Sequence, residues 1–280
     1  MKDERRGSNR DFDHGSSRDS GHLMLISPER VFYAGLLGRP RGRTTGSFMI
    51  YVSIEGRLKL TREGRCSEGL TIAAVQPDVP HTVESEFRSV INVTIEPETI
   101  TPAALERLVQ RIDHDGPALA ERIRAAYHRW RQEKRRDGFT TEEFDSAVLG
   151  EVLPRRQLDP RIVDAIARLT VFSGPAVTAA DCAEAIHLSQ SRFLHLFKQE
   201  TGISFRAYRA HKRARYLLHF VNDDINLAHL AQDIGYPDST HFCHSIRRFY
   251  GLKPRAIFSG SRDLRIYRSD ASDGAQLVTV

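Results

Sequence analysis

Cysteine is scarce in this 280-residue chain: Cys66, Cys182 and Cys243 are odd in number, far apart and never in a CxxC spacing. That pattern excludes a disulfide framework and a structural zinc site, and a reducing cytoplasm is the compartment expected. Long apolar runs are also missing. None approaches the roughly 18 residues that a membrane span requires, and residues 1–20 are polar, without the apolar core of a secretory signal. A soluble protein with no membrane partner is expected. No pair of histidines has a metal-ligand spacing with a third ligand, so the sequence predicts no metal and no other cofactor.

What is present suffices for two packed domains, since 40% of the residues are hydrophobic. The charge is unevenly placed. Residues 155–268 carry 18 Lys and Arg against 10 Asp and Glu, whereas residues 1–154 carry 23 against 24. The basic excess therefore belongs to the C-terminal part and favours a polyanionic partner there.

Along the chain, residues 1–21 contain only Phe12 as a large apolar group and read as a flexible arm. Residues 22–100 are strand-like, with runs such as Val31 to Leu37, Phe48 to Ile54, Leu58 to Leu60 and Val90 to Ile95 separated by Gly, Pro and Asp turns. Many short strands predict a small β-barrel or sandwich. From Thr101-Pro102 the period becomes helical, giving a segment over 101–155 with one helix on each side of Gly116-Pro117. Its apolar stripe, including Leu108, Ile112, Ile123 and Trp130, fits intradomain core or a dimer seam. The cluster from Arg131 to Arg136 reads as a solvated face. Residues 156–268 form the all-helical part, and 269–280 a flexible tail. The fold class expected is α+β.

The helical part repeats itself. Phe193-Leu194-His195-Leu196-Phe197-Lys198 and Gly202 recur 49 residues on as Phe242-Cys243-His244-Ser245-Ile246-Arg247 and Gly251, each after an alanine-rich segment. The repeated unit is a short helix, a turn and a second helix, and a helix from about Phe205 to Val221 joins the copies. The turn is one residue longer in the second copy. Two such units on a basic stretch read as a two-headed DNA-binding module.

With Ser189 as N-cap, Phe193, Leu196 and Phe197 fall on one side of the first unit's second helix. Ser191, Leu194, His195 and Lys198 then face outward, with Arg192 at the edge. With Asp238 as N-cap, Phe242, Ile246 and Phe249 are buried in the second unit, and Thr240, His244 and Arg247 face outward beside Ser239, Cys243 and Arg248. Short polar side chains in the N-terminal half of a helix suit base edges in the major groove. Arg and Lys further along suit phosphates, which position without specifying. His211, His229 and His241 read as surface or packing residues.

These residues resemble the AraC/XylS family of bacterial transcription regulators. The first signature is carried by Ser189-Gln190-Ser191-Arg192-Phe193-Leu194-His195-Leu196-Phe197-Lys198 and Thr201-Gly202, the second by Gly235-Tyr236-Pro237-Asp238 and Gly251-Leu252-Lys253-Pro254. The resemblance covers roughly residues 160–260. It implies base-facing roles for Ser191, Leu194 and His195 in one unit and for Ser239, Thr240, Cys243 and His244 in the other. It also implies a cupin-like N-terminal sensor, double-stranded DNA and RNA polymerase as partners, a small-molecule effector and a homodimer. Two departures stand out: the family commonly has arginine where His195 and His244 stand, and a Tyr-Arg pair where this chain has Ile257-Phe258.

The function expected is a sequence-specific transcription regulator, an activator and not an enzyme. The alternative is a cupin-type enzyme with an auxiliary nucleic-acid-binding module. Ala74 to Val83 resembles the cupin turn closed by proline and histidine, yet Gly35 to Gly56 contains no histidine, and His81 alone cannot make a catalytic metal site. For Arg39, Arg41 and Arg43 two readings stand, the lining of an acidic-ligand pocket or a mobile loop, and the effector is not specified by the sequence.

Overall fold

The computed structural model describes residues 21–38, 41–133, 137–170, 172, 177–260 and 263–269. The N-terminal arm up to residue 20, the tail from residue 270 and part of the Arg131 to Arg136 cluster lie outside these residues.

Among the described residues, nine strands make two sheets. They are β1 (Leu23–Ile26), β2 (Arg30–Leu36), β3 (Phe48–Ser53), β4 (Leu58–Arg62), β5 (Arg65–Leu70), β6 (Ile72–Val75), β7 (His81–Ser85), β8 (Ser89–Ile95) and β9 (Arg265–Arg268). The larger sheet runs β6-β3-β8-β2-β1-β9 and the smaller β5-β4-β7. The two pack face to face as a sandwich and do not close into a barrel. Their shared core contains Met49, Tyr51, Leu58, Leu60, Val83 and Val90.

The larger sheet is buried on both faces, which sets its composition. In β3, Phe48, Ile50 and Val52 face one way and Met49 and Tyr51 the other, so every residue of the strand is buried. The same holds for β1, where Leu23 and Leu25 enter one core and Met24 and Ile26 another. Strands of this kind lack the polar alternation that marks a half-exposed strand.

One face is covered by α1 (Pro102–Gln132) and α2 (Thr141–Val148). Thr101 caps α1 by accepting from the Ala104 amide, with Pro102 at the first helical position, as the sequence predicts. Where two helices are expected around Gly116-Pro117, the chain runs on through a kink at Asp115, whose φ of −136° and ψ of 35° leave the helical region. Pro117 accounts for the kink, because its ring crowds the carbonyl four residues earlier. Gly116 keeps the bent helix close: a Cβ there would lie 2.8 Å from Ile72. The apolar stripe of α1 is spent on this core, where Trp130 lies 5.1 Å from Phe32 and 6.1 Å from Phe144 between ring centroids.

α2 is too short for its period to be read from sequence. A capping box between Thr140 and Glu143 starts it, and Asp145 anchors it to β2 by a bidentate pair with Arg30, at 2.8 and 2.9 Å. Both residues are buried, and Asp145 also accepts from the Leu153 amide.

The helical part comprises α3 (Pro160–Leu169), α4 (Ala179–Ala185), α5 (Gln190–Thr201), α6 (Phe205–Tyr216), α7 (Leu227–Asp233), α8 (Ser239–Tyr250) and α9 (Pro254–Gly260). The long connecting helix expected to reach Val221 ends as α6 at Tyr216 and continues as a 3-10 turn from Leu217 to Phe220. α3, α4 and α5 close a core of their own with Phe205 and Tyr208. The second unit does not. Its Leu230, Phe242 and Ile246 share one core with Met24, Ile26 and Val31 of the sheet. β9 completes the attachment by pairing in parallel with β1, Leu23 opposite Arg265 through Ile26 opposite Arg268.

Candidate nucleic-acid interface

Each helix pair is built from local signals. The Ser189 hydroxyl accepts from the Arg192 amide and starts α5; the Asp238 carboxylate accepts from the His241 amide at 2.8 Å and starts α8. These bonds to His241 hold the Asp238 carboxyl below its usual range. Gly202 and Gly251, with φ of 81° and 68°, end the two helices in the left-handed conformation that side chains disfavour. Between α4 and α5 the turn is Ile186 to Ser189, and between α7 and α8 it is Ile234 to Asp238, one residue longer as read from the sequence.

Phe193 and Phe197 are fully buried under α5, and Phe242, Ile246 and Phe249 lie under α8. Their opposite faces are free. Ser191, Arg192, Leu194, His195 and Lys198 are exposed on α5, as are Ser239, Thr240, His244, Arg247 and Arg248 on α8. Cys243 differs: it is half-buried and packs against the core that the second unit shares with the sheet. His241, read from sequence as a surface or packing residue, is exposed at the start of α8 with Nδ1 2.8 Å from Asp238.

Not all of the basic excess lies on these faces. His211, Lys212 and Arg215 on α6 are buried against Glu96 and Glu98, which follow β8. Glu96 meets Lys212, His211 at 3.2 Å and Arg215 at 3.0 Å, while Glu98 meets Lys212 at 2.6 Å and accepts from Tyr208 at 2.9 Å. Burial pushes the Glu96 carboxyl upward, but Lys212, His211 and Arg215 outweigh it and hold it well below the usual carboxylate range. Lys212 and Arg215 are thus counter-ions of the sheet domain. The sequence hints at this only through acids flanking Pro97 and the basic run at 211–215.

His81 is enclosed as well. Its Nδ1 donates to the Val79 carbonyl at 2.9 Å, which leaves Nε2 to accept from the Tyr51 hydroxyl at 2.8 Å. Burial lowers its pKa to about 4, so the ring is neutral. No group of three His, Cys, Asp or Glu among the described residues could hold a metal ion.

Two short helix-turn-helix units with exposed second helices, mounted on a β-sandwich, define a DNA-binding type of architecture. The C-terminal part carries an AraC-type helix-turn-helix domain, for residues 182–259 match the family described as "Helix-turn-helix domain". Over 105 residues the chain is 33% identical to the HTH-type transcriptional activator RhaS of Escherichia fergusonii, covering 36% of this chain and 37% of that protein. It is 34% identical over 79 residues to the regulatory protein PocR of Salmonella typhimurium, covering 27% and 25%. The Msm operon regulatory protein of Streptococcus mutans is 27% identical over 84 residues, 29% of this chain and 30% of that one. The matches thus span well under half the length of these curated relatives.

Among solved structures, the apo form of a single-substitution variant of ToxT from Vibrio cholerae strain SCE256 superposes with a TM-score of 0.52 at 10% identity, over 82% of this chain and 97% of that one. ToxT from Vibrio cholerae O395 gives 0.50 at 12% identity over the same shares. These likenesses concern the fold, and they extend it across both the sheet and the helical parts. Among the described residues no helix is long and apolar enough to cross a membrane.

Proposed function

We propose that this protein is a sequence-specific DNA-binding transcription regulator, in which α5 and α8 enter successive major-groove segments and the sandwich domain responds to a small effector. The observation that carries the reading is the duplicated exposed face: two capped helices present polar and basic side chains at equivalent positions while their apolar faces are buried. Ser191, Leu194 and His195 on α5, with Ser239, Thr240, Cys243 and His244 on α8, read bases, Cys243 from the margin. Arg192, Lys198, Arg247 and Arg248 contact phosphates. The regulator names of the relatives support a non-enzymatic role, and that of RhaS, a transcriptional activator, supports activation; recruitment of RNA polymerase by a homodimer completes the proposed reading.

Selection of randomised duplexes by the full-length protein, followed by competition at physiological salt, tests this. A recovered motif with two half-sites, bound at least about a thousandfold more tightly than random duplex, is the expected result. Equal affinity for all duplexes would replace the reading with that of a non-specific DNA-binding protein.

A further inference from the structure

α6 joins the two helix-turn-helix units and has two unlike faces. On one, Tyr208, Lys212 and Arg215 meet Glu96 and Glu98, so the sheet domain occupies that side of the helix. At about 100° per residue, Arg206 and Arg213 fall nearly opposite these three, with Arg209 at the flank. The ion pairs of α6 are those of His211, Lys212 and Arg215; among the described residues Arg206, Arg209 and Arg213 pair with no carboxylate. Arg206 is exposed, and Arg209 and Arg213 are half-buried.

Two of the three are fixed where the units meet. The Arg209 Nη1 donates to the Val177 carbonyl at 2.7 Å, just ahead of the Thr178 cap of α4. The Arg213 guanidinium lies 5.0 Å from the centroid of the Tyr236 ring, in the turn before α8, and the Tyr236 hydroxyl is 2.8 Å from the Ser245 hydroxyl of α8. Arg209 is thus tied to the first unit and Arg213 to the second, one helical turn apart. The Arg213 Nε is buried without a hydrogen-bond partner among the described residues, and burial and the nearby Arg209 charge push its pKa down. Contact with a ligand therefore falls to its two terminal nitrogens, which are not enclosed in this way. Two cations held close without a carboxylate repel one another, and the aromatic face offsets only part of that cost. An anion seated beside both would turn the repulsion into attraction.

A duplex read by α5 and α8 offers two major-groove segments about 34 Å apart on one face. Between them lies a minor groove about 6 Å wide, bounded by the phosphates of both strands. α6 has 12 residues and is about 18 Å long, so it spans the middle of that interval. The sheet domain closes the Glu96 side of α6 to the duplex. Only the side bearing Arg206, Arg209 and Arg213 remains open to it.

We infer that α6 is a third DNA contact, in which Arg206 and Arg213, with Arg209 beside them, hold backbone phosphates across the minor groove between the segments read by α5 and α8. The partner is the phosphodiester and not a base edge, since guanidinium donors match phosphate oxygens. Such a contact positions the two units without specifying sequence. Because Arg209 is tied to one unit and Arg213 to the other, a phosphate held by both fixes the separation of α5 and α8. The inference rests on the reading of this protein as a DNA-binding regulator and adds positioning residues to it.

Fluorescence anisotropy with the full-length protein tests this on a selected duplex, on random duplex, and on selected duplexes with a single neutral methylphosphonate placed in turn at each phosphate beside the intervening minor groove. Arg206→Gln combined with Arg213→Met, which keeps an apolar chain on Tyr236, should weaken binding to both natural duplexes about tenfold or more and lower the slope of log K against log salt by about two. At one or more positions the methylphosphonate should weaken the wild type by about fivefold or more and the double variant hardly at all, since the contact it removes is already gone. An unchanged salt slope, or neutral phosphates that cost the two proteins alike, would overturn the inference; the second outcome is what a purely structural role of Arg213 on Tyr236 produces. Failure of the two proposals is separable. A selected motif with an unchanged slope defeats only the α6 contact, whereas a slope that falls on random duplex with no motif recovered defeats the sequence-specific reading and keeps the contact.

Discussion

His195 and His244 occupy equivalent exposed positions on α5 and α8, each six residues in from its N-cap. An imidazole there cannot make the bidentate contact to guanine that an arginine makes. His195→Ala is therefore expected to lower discrimination between a selected site and its variants by about 1 kcal/mol while leaving affinity for random duplex nearly unchanged. Arg247→Ala should instead weaken binding to all duplexes and make the dependence on salt shallower by about one counterion. Competition and salt titrations of the two variants check the contrast; the same profile for both would remove the division into base and phosphate contacts. A second residue, His81, is the end of a buried chain and titrates at about 4, against 6.5 when free. The unfolded chain thus binds the additional proton between those values, so stability is complete above pH 6.5 and lost as pH falls toward 4. Urea denaturation across that range should show the slope, and His81→Gln should flatten it; an unaltered slope would assign the effect elsewhere.

Among the elements, α5 and α8 were the most legible. Their caps, terminal glycines and buried aromatic residues are all local signals, and Ser189, Asp238, Gly202 and Gly251 stand in the expected roles. Asp238→Ala should lower stability by about 1 kcal/mol, since the first turn of α8 loses its acceptor; denaturation of the variant measures this, and no loss would mean that the second unit's shared core alone fixes α8. Other elements were hidden. β1 offers only four apolar residues because both of its faces are covered, so its pattern is a short run without alternation. α2 is only eight residues long and is positioned by the Arg30–Asp145 pair, residues 115 positions apart. The break at Gly116-Pro117 reads in the sequence as the boundary between two helices, and in the structure the two run on from one another through a kink at Asp115.

At the scale of the whole molecule, the two units attach differently. The first has its own core, and the second completes its core with Met24, Ile26 and Val31. β9 reinforces that union by adding a C-terminal strand to an N-terminal sheet. Deleting residues 265–280 should therefore lower the melting temperature and promote self-association through the uncovered edge of β1. Thermal melting with light scattering reads both, and an unchanged melting temperature would deny β9 a structural role.

The sequence by itself determined the repeated helix pairs, their caps and the outward residues, because each depends on contacts three or four positions apart. It also placed the basic excess in the right half of the chain. Only the tertiary structure decided which of those charges are free. Lys212 and Arg215 are matched to Glu96 and Glu98 across more than a hundred residues, while Arg192, Lys198, Arg247 and Arg248 stay exposed. Charge pairing in the interior depends on which distant strands and helices meet, and no local pattern encodes that.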